Sequence, residues 1–278
     1  MKHIQQTLAG TVVAFGLVAS AQAQTANVPP VINPLSATAT LPKDGTFDLR
    51  GVSLGMLMSE AIPVLQALHS AKTPPQEVNA AVQIIRDNRG NEFRFATPGT
   101  LLQQGPQADG SFEILNVSFT TNVNEVRAYA ISRSVSYSGA PQQGSVPELV
   151  TVLTAKYGTP SWRVTSGAQT LYWVWFNGTR VAGGDARPSG PASACTSVNF
   201  AAETYANHQG GISKGFDGCD LVMSVRILPG QRPDLMSGVE FGLYNVKHIR
   251  LNVQETDAWV RAELQKIIDG KQGSAPKL

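Results

Sequence analysis

The residues whose types and spacing could support catalysis lie in one glycine-rich segment. Residues 211–215 have the sequence GISKG, which fits the Gly-x-Ser-x-Gly pattern that presents a nucleophilic serine in hydrolases. His208 precedes Ser213 by five residues and Asp217 follows it by four, and these three residue types form the catalytic triad of serine hydrolases. The pattern indicates a hydrolase when it joins an apolar strand to a helix, but here NHQG precedes it and FDGC follows it. We therefore interpret the segment as a glycine-rich loop and keep a hydrolase with Ser213, His208 and Asp217 as catalytic residues as an alternative hypothesis.

Patterns that bind metals, nucleotides or nucleic acids are absent from the sequence. It contains no His-x-His pair, no His-Glu-x-x-His helix, no acidic calcium loop and neither of the glycine-rich loops that hold phosphate. Its 22 Lys and Arg residues against 20 Asp and Glu residues give a formal net charge of +2, without the basic clusters that bind nucleic acid or anionic membranes. The sequence predicts no cofactor, no metal site and no nucleic-acid partner.

A cluster of aromatic residues is the strongest indication of a binding surface. Trp162 is followed closely by the segment LYWVWF over residues 171–176. Strand alternation would place Trp173 and Trp175 on one face of this strand and Tyr172 on the other. Two interpretations of the Trp173 and Trp175 face stay open. It is a core face beneath a helix, or it is a recognition surface for a protein or a stacking platform for sugars, because Trp and Tyr are enriched at binding hot spots.

We take Trp162, Tyr172, Trp173 and Trp175 as the candidate binding residues.

The N-terminal residues predict export from the cytoplasm. Residues 1–23 combine a basic start, an apolar run too short to cross a bilayer and an Ala-x-Ala cleavage pattern ending at Ala23. Residues 24–46 are rich in Pro, Ala and Thr and predict a flexible leader, and residues 270–278 predict a frayed tail. We expect a periplasmic or secreted protein with no membrane-spanning segment.

Cys195 and Cys219, the only two cysteines in the chain, are expected to form a disulfide. An exported chain folds in an oxidising compartment, where an even pair of cysteines is usually bonded. Closing a loop of this length stabilises the folded chain by roughly 3 kcal/mol. A redox-active pair usually has Cys-x-x-Cys spacing, which these residues lack.

The segment SVPELVTVLTAKYGTPSW predicts a helix and the strand that follows it. Ser145 is suited to cap the helix, with Glu148 three residues later to complete a capping box. Gly158 is suited to end it, and Pro160 prevents its continuation. Lys156 and Tyr157 therefore mark the end of a helix, and a catalytic acid–base pair is the weaker interpretation.

Two further helices flank a series of strands. Ser59 is suited to cap the first, and the other is expected from about Thr256 to Asp269. His248, in the alternating segment NVKHIRLNV, is expected to face solvent from a strand. Runs of strands with occasional helices predict an α+β fold with antiparallel sheets and packed helices.

The order of these elements predicts two similar α–β repeats. The first half would cover residues 47–140 and the second residues 141–269, with the segment SGAPQQG as the linker.

The segments LRGVSLGMLMSEAIPVL and ELVTVLTAKYGTPSW, the second followed by LYWVWF, resemble small bacterial envelope modules. These are the outer-membrane assembly lipoproteins of the BamE-like type and the tandem β-lactamase inhibitor proteins. The resemblance implies binding of a protein through the sheet face and loops, without catalysis. The chain lacks the lipid-bearing cysteine of the lipoproteins. We expect a non-catalytic protein-binding or inhibitory module of the bacterial cell envelope, and the alternatives are the hydrolase above or a glycan- or small-solute-binding protein.

Overall fold

Within the described residues, the largest element is a ten-stranded antiparallel sheet. Its strands follow the order β10-β11-β13-β14-β8-β7-β6-β3, with β12 paired to β11 and β9 paired to β14. Two small antiparallel sheets, β1-β2 and β4-β5, lie outside it. Together with three α-helices, these sheets confirm the α+β fold. The strands are β1 (Asp48–Leu49), β2 (Val52–Ser53), β3 (Gln76–Val78), β4 (Ala81–Arg86), β5 (Glu92–Thr97), β6 (Thr100–Pro106), β7 (Phe112–Phe119), β8 (Ala128–Ser136), β9 (Gly144–Ser145), β10 (Trp162–Val164), β11 (Gln169–Phe176), β12 (Thr179–Arg180), β13 (Cys219–Pro229) and β14 (Leu235–Tyr244).

The structure is a computed structural model that describes residues 26–34, 41–42, 47–68, 73–138, 144–165, 168–184, 190–196 and 218–272. The predicted signal peptide over residues 1–23 lies outside these ranges. So do the centre of the predicted linker and the last six residues of the predicted tail.

The α-helices in the described part of the chain are α1 (Met58–Gln66), α2 (Val146–Tyr157) and α3 (Val246–Gln272). The predicted limits of α2 are confirmed. Ser145 Oγ accepts a hydrogen bond from the Glu148 N–H at 3.4 Å, and the helix ends at Gly158, whose φ of 73° is left-handed. Strand β10 begins four residues later. KYGTP is thus a helix end that leads into a strand.

Helix α1 begins two residues before the predicted start. Its cap is Leu57, and the Glu60 carboxylate accepts a hydrogen bond from the Leu57 N–H at 2.9 Å. Ser59 therefore lies inside the helix, because the acidic residue of the first turn performs the capping. Ala61 and Leu65 face the core.

Helix α3 begins at Val246, earlier than the predicted start near Thr256, and continues past Gly270. Asn245 Oδ1 accepts a hydrogen bond from the His248 N–H at 3.0 Å and so caps its first turn. The expectation that His248 faces solvent from a strand is wrong, since the residue is helical and only 1% exposed. The segment NVKHIRLNV fits a period of two and a helical period equally well, so periodicity could not distinguish them.

The main sheet buries its two faces in different ways. One face packs along its length against α1 and α2, and Leu65, Leu153, Ile131 and Trp173 belong to this core. The other face is covered at one end by α3 and by the β4–β5 hairpin, where Trp259 contacts both Phe93 and Phe95 edge-to-face.

The two predicted halves contribute to the sheet in the same order. In each, the strands run from one edge of the sheet to its centre, as β3-β6-β7-β8 and as β10-β11-β13-β14. The last strand of one half pairs with the last strand of the other, from Gly238 opposite Ser136 to Tyr244 opposite Ala130. The repeat itself stays a prediction, and the sheet is continuous across the predicted boundary.

The disulfide between Cys195 and Cys219 is confirmed. Cys195 lies in a 3-10 segment, Gly190–Thr196, and Cys219 is the first residue of β13. Their Cα atoms are 5.8 Å apart and both side chains are fully buried.

Part of the predicted flexible leader is bound to the rest of the fold, which corrects that prediction for residues 26–34. Asn27 pairs with Phe95 of β5 through two backbone hydrogen bonds of 3.1 and 2.8 Å to the neighbouring residues. Asn33 Nδ2 donates to Glu255 Oε1 of α3 at 2.8 Å. Strand pairing and an α3 side chain together hold this segment in place.

The pH dependence of stability should depend strongly on His248. Neither ring nitrogen has a hydrogen-bond partner within the described chain. Burial, together with the positive charge of Arg127, lowers the pKa of His248 from 6.5 to about 4. The unfolded chain takes up this proton at the higher pH and the folded protein only at the lower one, so stability is lost as the pH falls through the window between them.

We expect His248→Leu and His248→Gln to flatten the pH dependence of the unfolding free energy between pH 6.5 and about 4, by up to about 3 kcal/mol. Urea unfolding at a series of pH values measures this slope. The two variants will differ in absolute stability, because glutamine adds a buried amide, but both must show the flatter slope. An unchanged slope in both would assign the titration to another group.

Candidate functional site

Trp173 and Trp175 form part of the hydrophobic core beneath α2. Trp173 is fully buried and donates a hydrogen bond from Nε1 to the Gly158 carbonyl at 2.9 Å, and Trp175 is 2% exposed. The Phe47 ring packs edge-to-face on Trp175 with centroids 5.1 Å apart. The hypothesis that these two tryptophans form a recognition surface is therefore corrected, because no partner can reach rings enclosed by the core.

Tyr172 and Trp162 lie on the opposite face of the sheet, as strand alternation predicts. They are direct cross-strand neighbours in β11 and β10. Their rings stack with centroids 5.0 Å apart and an interplanar angle of 15°. Both side chains are half-buried, so these two candidate binding residues remain accessible.

A groove of about 420 Å³ lies on this second face of the sheet. Small and polar residues of successive strands meet directly opposite one another at its floor. Twelve residues line it and define what we call the polar groove: Asn116, Ser132, Arg133, Ser134, Thr170, Tyr172, Ser224, Arg226, Glu240, Phe241, Gly242 and Tyr244.

The floor of the polar groove is a single row of cross-strand neighbours. The row runs from β7 to β11 through Asn116, Ser132, Gly242, Ser224 and Tyr172. It includes the pair Ser132 and Gly242, where the two halves of the chain meet. The smallest side chains are thus central and larger ones stand at both ends, which gives the floor its concave shape.

One wall depends on the glycine at the centre of the floor. A Cβ added at Gly242 would lie 2.5 to 2.8 Å from ring atoms and the hydroxyl of Tyr244. The Tyr244 ring therefore leans over Gly242, an arrangement that only glycine permits. Tyr244 belongs to the next row of cross-strand neighbours, with Val222 and Val174, and this row is buried beneath α3.

The charges of the polar groove come from one exposed ion pair. Arg226 Nη1 lies 3.2 Å from Glu240 Oε2, and their side chains are 55% and 43% exposed. The Arg133 side chain points to the opposite face, where it forms an ion pair with the fully buried Glu113 and packs 5.3 Å from the Phe241 ring centroid. Arg226 and Glu240 are therefore the charged side chains that a ligand in the groove would meet.

Two other hollows lie on the described part of the chain. One of about 590 Å³ lies between β5 and α3, but Glu92 is paired with Arg94 there and Glu263 with Lys266. The other, of about 530 Å³, lies beside the β13–β14 turn. Neither contains the predicted aromatic residues, which makes the polar groove the better candidate.

The remaining sequence candidates are not brought into a site. Ser213, His208 and Asp217 lie outside the described residues, so the hydrolase hypothesis stays a prediction. In the described part of the chain, no three His, Cys, Asp or Glu side chains come together as metal ligands. Within the same ranges, no helix has both the length and the apolar composition of a membrane span.

Sequence reasoning missed most of the groove residues. Alternation in the segment SRSVS of β8 indicates that Ser132 and Ser134 share a face. Which residues of β13 and β14 join them depends on strand register, which no local pattern contains.

Comparison with protein-family models, with curated proteins and with solved structures found no match to this chain.

Trp173 and Tyr172, neighbours in sequence, should differ sharply in their contribution to stability. Trp173→Ala removes a fully buried ring and its hydrogen bond and should lower the unfolding free energy by about 3–5 kcal/mol. Tyr172→Ala removes a half-buried ring on the accessible face and should cost about 1 kcal/mol. Urea unfolding followed by circular dichroism measures both, and equal losses would contradict the accessibility of the Tyr172 face.

Proposed function

We propose that this protein is a non-catalytic binding module of the bacterial cell envelope, which holds a protein partner in the polar groove. The observation that supports this most is the composition and placement of the groove. It is an accessible concave surface on the continuous sheet, lined mainly by tyrosine, serine, threonine, asparagine and glycine, with the exposed ion pair of Arg226 and Glu240.

The composition of the groove matches what protein-recognition surfaces use. Tyrosine provides a large contact area at low cost in side-chain entropy, and serine, glycine and asparagine provide adaptable hydrogen bonds. Tyrosine and arginine are also the residues that most often dominate binding energy. Tyr172 and Arg226 combine these properties with exposure at the groove.

The position of the groove on strands favours selective binding. Residues on a sheet hold their spacing more closely than residues on loops, so little order has to be gained on binding. The ion pair of Arg226 with Glu240 adds a requirement for complementary charges. A partner that separates the two side chains must offer each of them a new charged or polar contact in place of the lost ion pair.

Export to the periplasm is part of the same proposal. The basic and apolar pattern of residues 1–23 supports it. The disulfide supports it as well, since such bonds persist mainly in oxidising compartments. The resemblance to BamE-like lipoproteins and tandem β-lactamase inhibitor proteins also implies a partner bound through the sheet face.

A sugar is the second candidate ligand. The neutral floor of the groove offers hydroxyl and amide groups, and a stacked pair of aromatic rings stands at one end of the row. Sugars need both kinds of contact. Tryptophan fluorescence during titration with cell-wall fragments tests this alternative, because Trp162 stacks on Tyr172.

The first measurement is a cross-linking experiment that compares the two sides of the protein. A photoreactive amino acid at Thr170 lies in the polar groove, whereas one at Val152 lies on the outer side of α2, where the side chain is 63% exposed. We expect irradiation of the cell envelope to give one protein adduct of defined mass from position 170 and none from position 152. Equal adducts from both positions, or none from position 170, would overturn the proposal.

Variants then test the contacts with the captured partner. Tyr172→Ala and Arg226→Ala should each weaken binding by about tenfold or more, while Val152→Ala should leave it unchanged. Calorimetry with the purified partner measures the three dissociation constants, and circular dichroism checks that each variant is folded. Undiminished binding by both groove variants would contradict the assignment.

A further inference from the structure

The outer edge of β4 has a regular set of backbone groups that nothing in the described chain binds. β4 pairs with β5 alone. The Asp87 N–H donates to the Asn91 carbonyl at 3.0 Å next to the turn. Asp87 and Asn91 are therefore a hydrogen-bonded pair, and this determines which of the other cross-strand pairs of the hairpin are hydrogen-bonded. Because such pairs alternate with non-bonded ones, Val82, Ile84 and Arg86 direct their N–H and C=O groups away from β5.

The side chains along this edge are unusually apolar for their exposure. Val82 is 51% exposed and Ile84 is 42% exposed. Exposed edge strands usually carry lysine, proline or a bulge that prevents pairing with another chain. β4 has the sequence AVQIIR, with a single charge at its last residue.

We propose that a second copy of this chain pairs with β4 along this edge, antiparallel and around a two-fold axis at Gln83. Val82 of each copy then lies opposite Ile84 of the other, and both form hydrogen-bonded pairs because both direct their backbone groups outward. The interface is isologous, as the common two-fold dimers are. It is separate from the polar groove and does not depend on the function proposed for that groove.

Charge and register favour a second copy as the occupant. In this register Arg86 lies opposite Ala80 of the other copy, so no like charges meet. The alternative register, centred on Ile84, pairs Ile84 with itself but places Arg86 opposite Val82 twice, so it forms one apolar pair where the register centred on Gln83 forms two. β4 is therefore complementary to itself in the register centred on Gln83. Binding of an unrelated partner strand would not require β4 to have this property.

Sedimentation of the full chain over a wide concentration range tests the dimer. We expect a concentration-dependent dimer and at least a tenfold rise in its dissociation constant for Ile84→Lys, because two lysines would then face Val82. Val152→Lys is the matched control, since it places the same charge at an exposed apolar position of α2, and it should dimerise like the unaltered chain. A monomer at every concentration, or equal dimerisation of the Ile84 variant, would overturn the proposal.

Cysteine cross-linking tests the register without requiring a loss of binding. Val82→Cys and Ile84→Cys proteins, each with the native disulfide intact, should form a mixed disulfide dimer when combined and oxidised. Each variant alone should give much less product. A predominant dimer of Ile84→Cys with itself would overturn the register, and equal yields in every combination would overturn the strand-paired interface.

Discussion

The pairing of β8 with β14 is the constraint on which the candidate site depends. These two strands join the halves of the chain over seven residue pairs, from Gly238 with Ser136 to Tyr244 with Ala130. A slip of one residue would exchange the two faces of a strand. Ile131 would then leave the core, and Ser132 would leave the groove floor. The hydrophobic pattern of both strands therefore fixes the register, and the register in turn assembles the groove.

The same strands thus encode two surfaces at once. On β13, Met223 and Val225 fill the core while Ser224 and Arg226 face the groove. Burial of Met223 and Val225 provides stability, and Ser224 and Arg226 stay on the accessible face where we propose that a partner binds. Glu113, fully buried beside Arg133, is an exception on the core face. Arg50 lies 3.3 Å from the same carboxylate, so two arginines compensate the one fully buried charge.

Local chemistry made several elements predictable. Ser145 and Gly158 define the ends of α2 because capping and a left-handed glycine act within a few residues. The disulfide followed from an even pair of cysteines in an exported chain. The groove could not be predicted in the same way, since it needs the register between strands that are far apart in sequence. Trp173 is of a residue type that is typical of binding sites, and only its packing against α2 distinguishes it from the accessible Tyr172.

The late position of β14 in the chain has a consequence for how the protein forms. β8 lies between β7, which precedes it directly, and β14, which is about a hundred residues further along the chain. Contacts of such long range form slowly, because the chain entropy of closing the loop is lost first. When the chain becomes available for folding from the N-terminus onward, β8 therefore has one unpaired edge until β14 is available. Unpaired strand edges of this kind promote aggregation, so we expect faster availability of the C-terminal third to raise the fraction of chains that reach the native state.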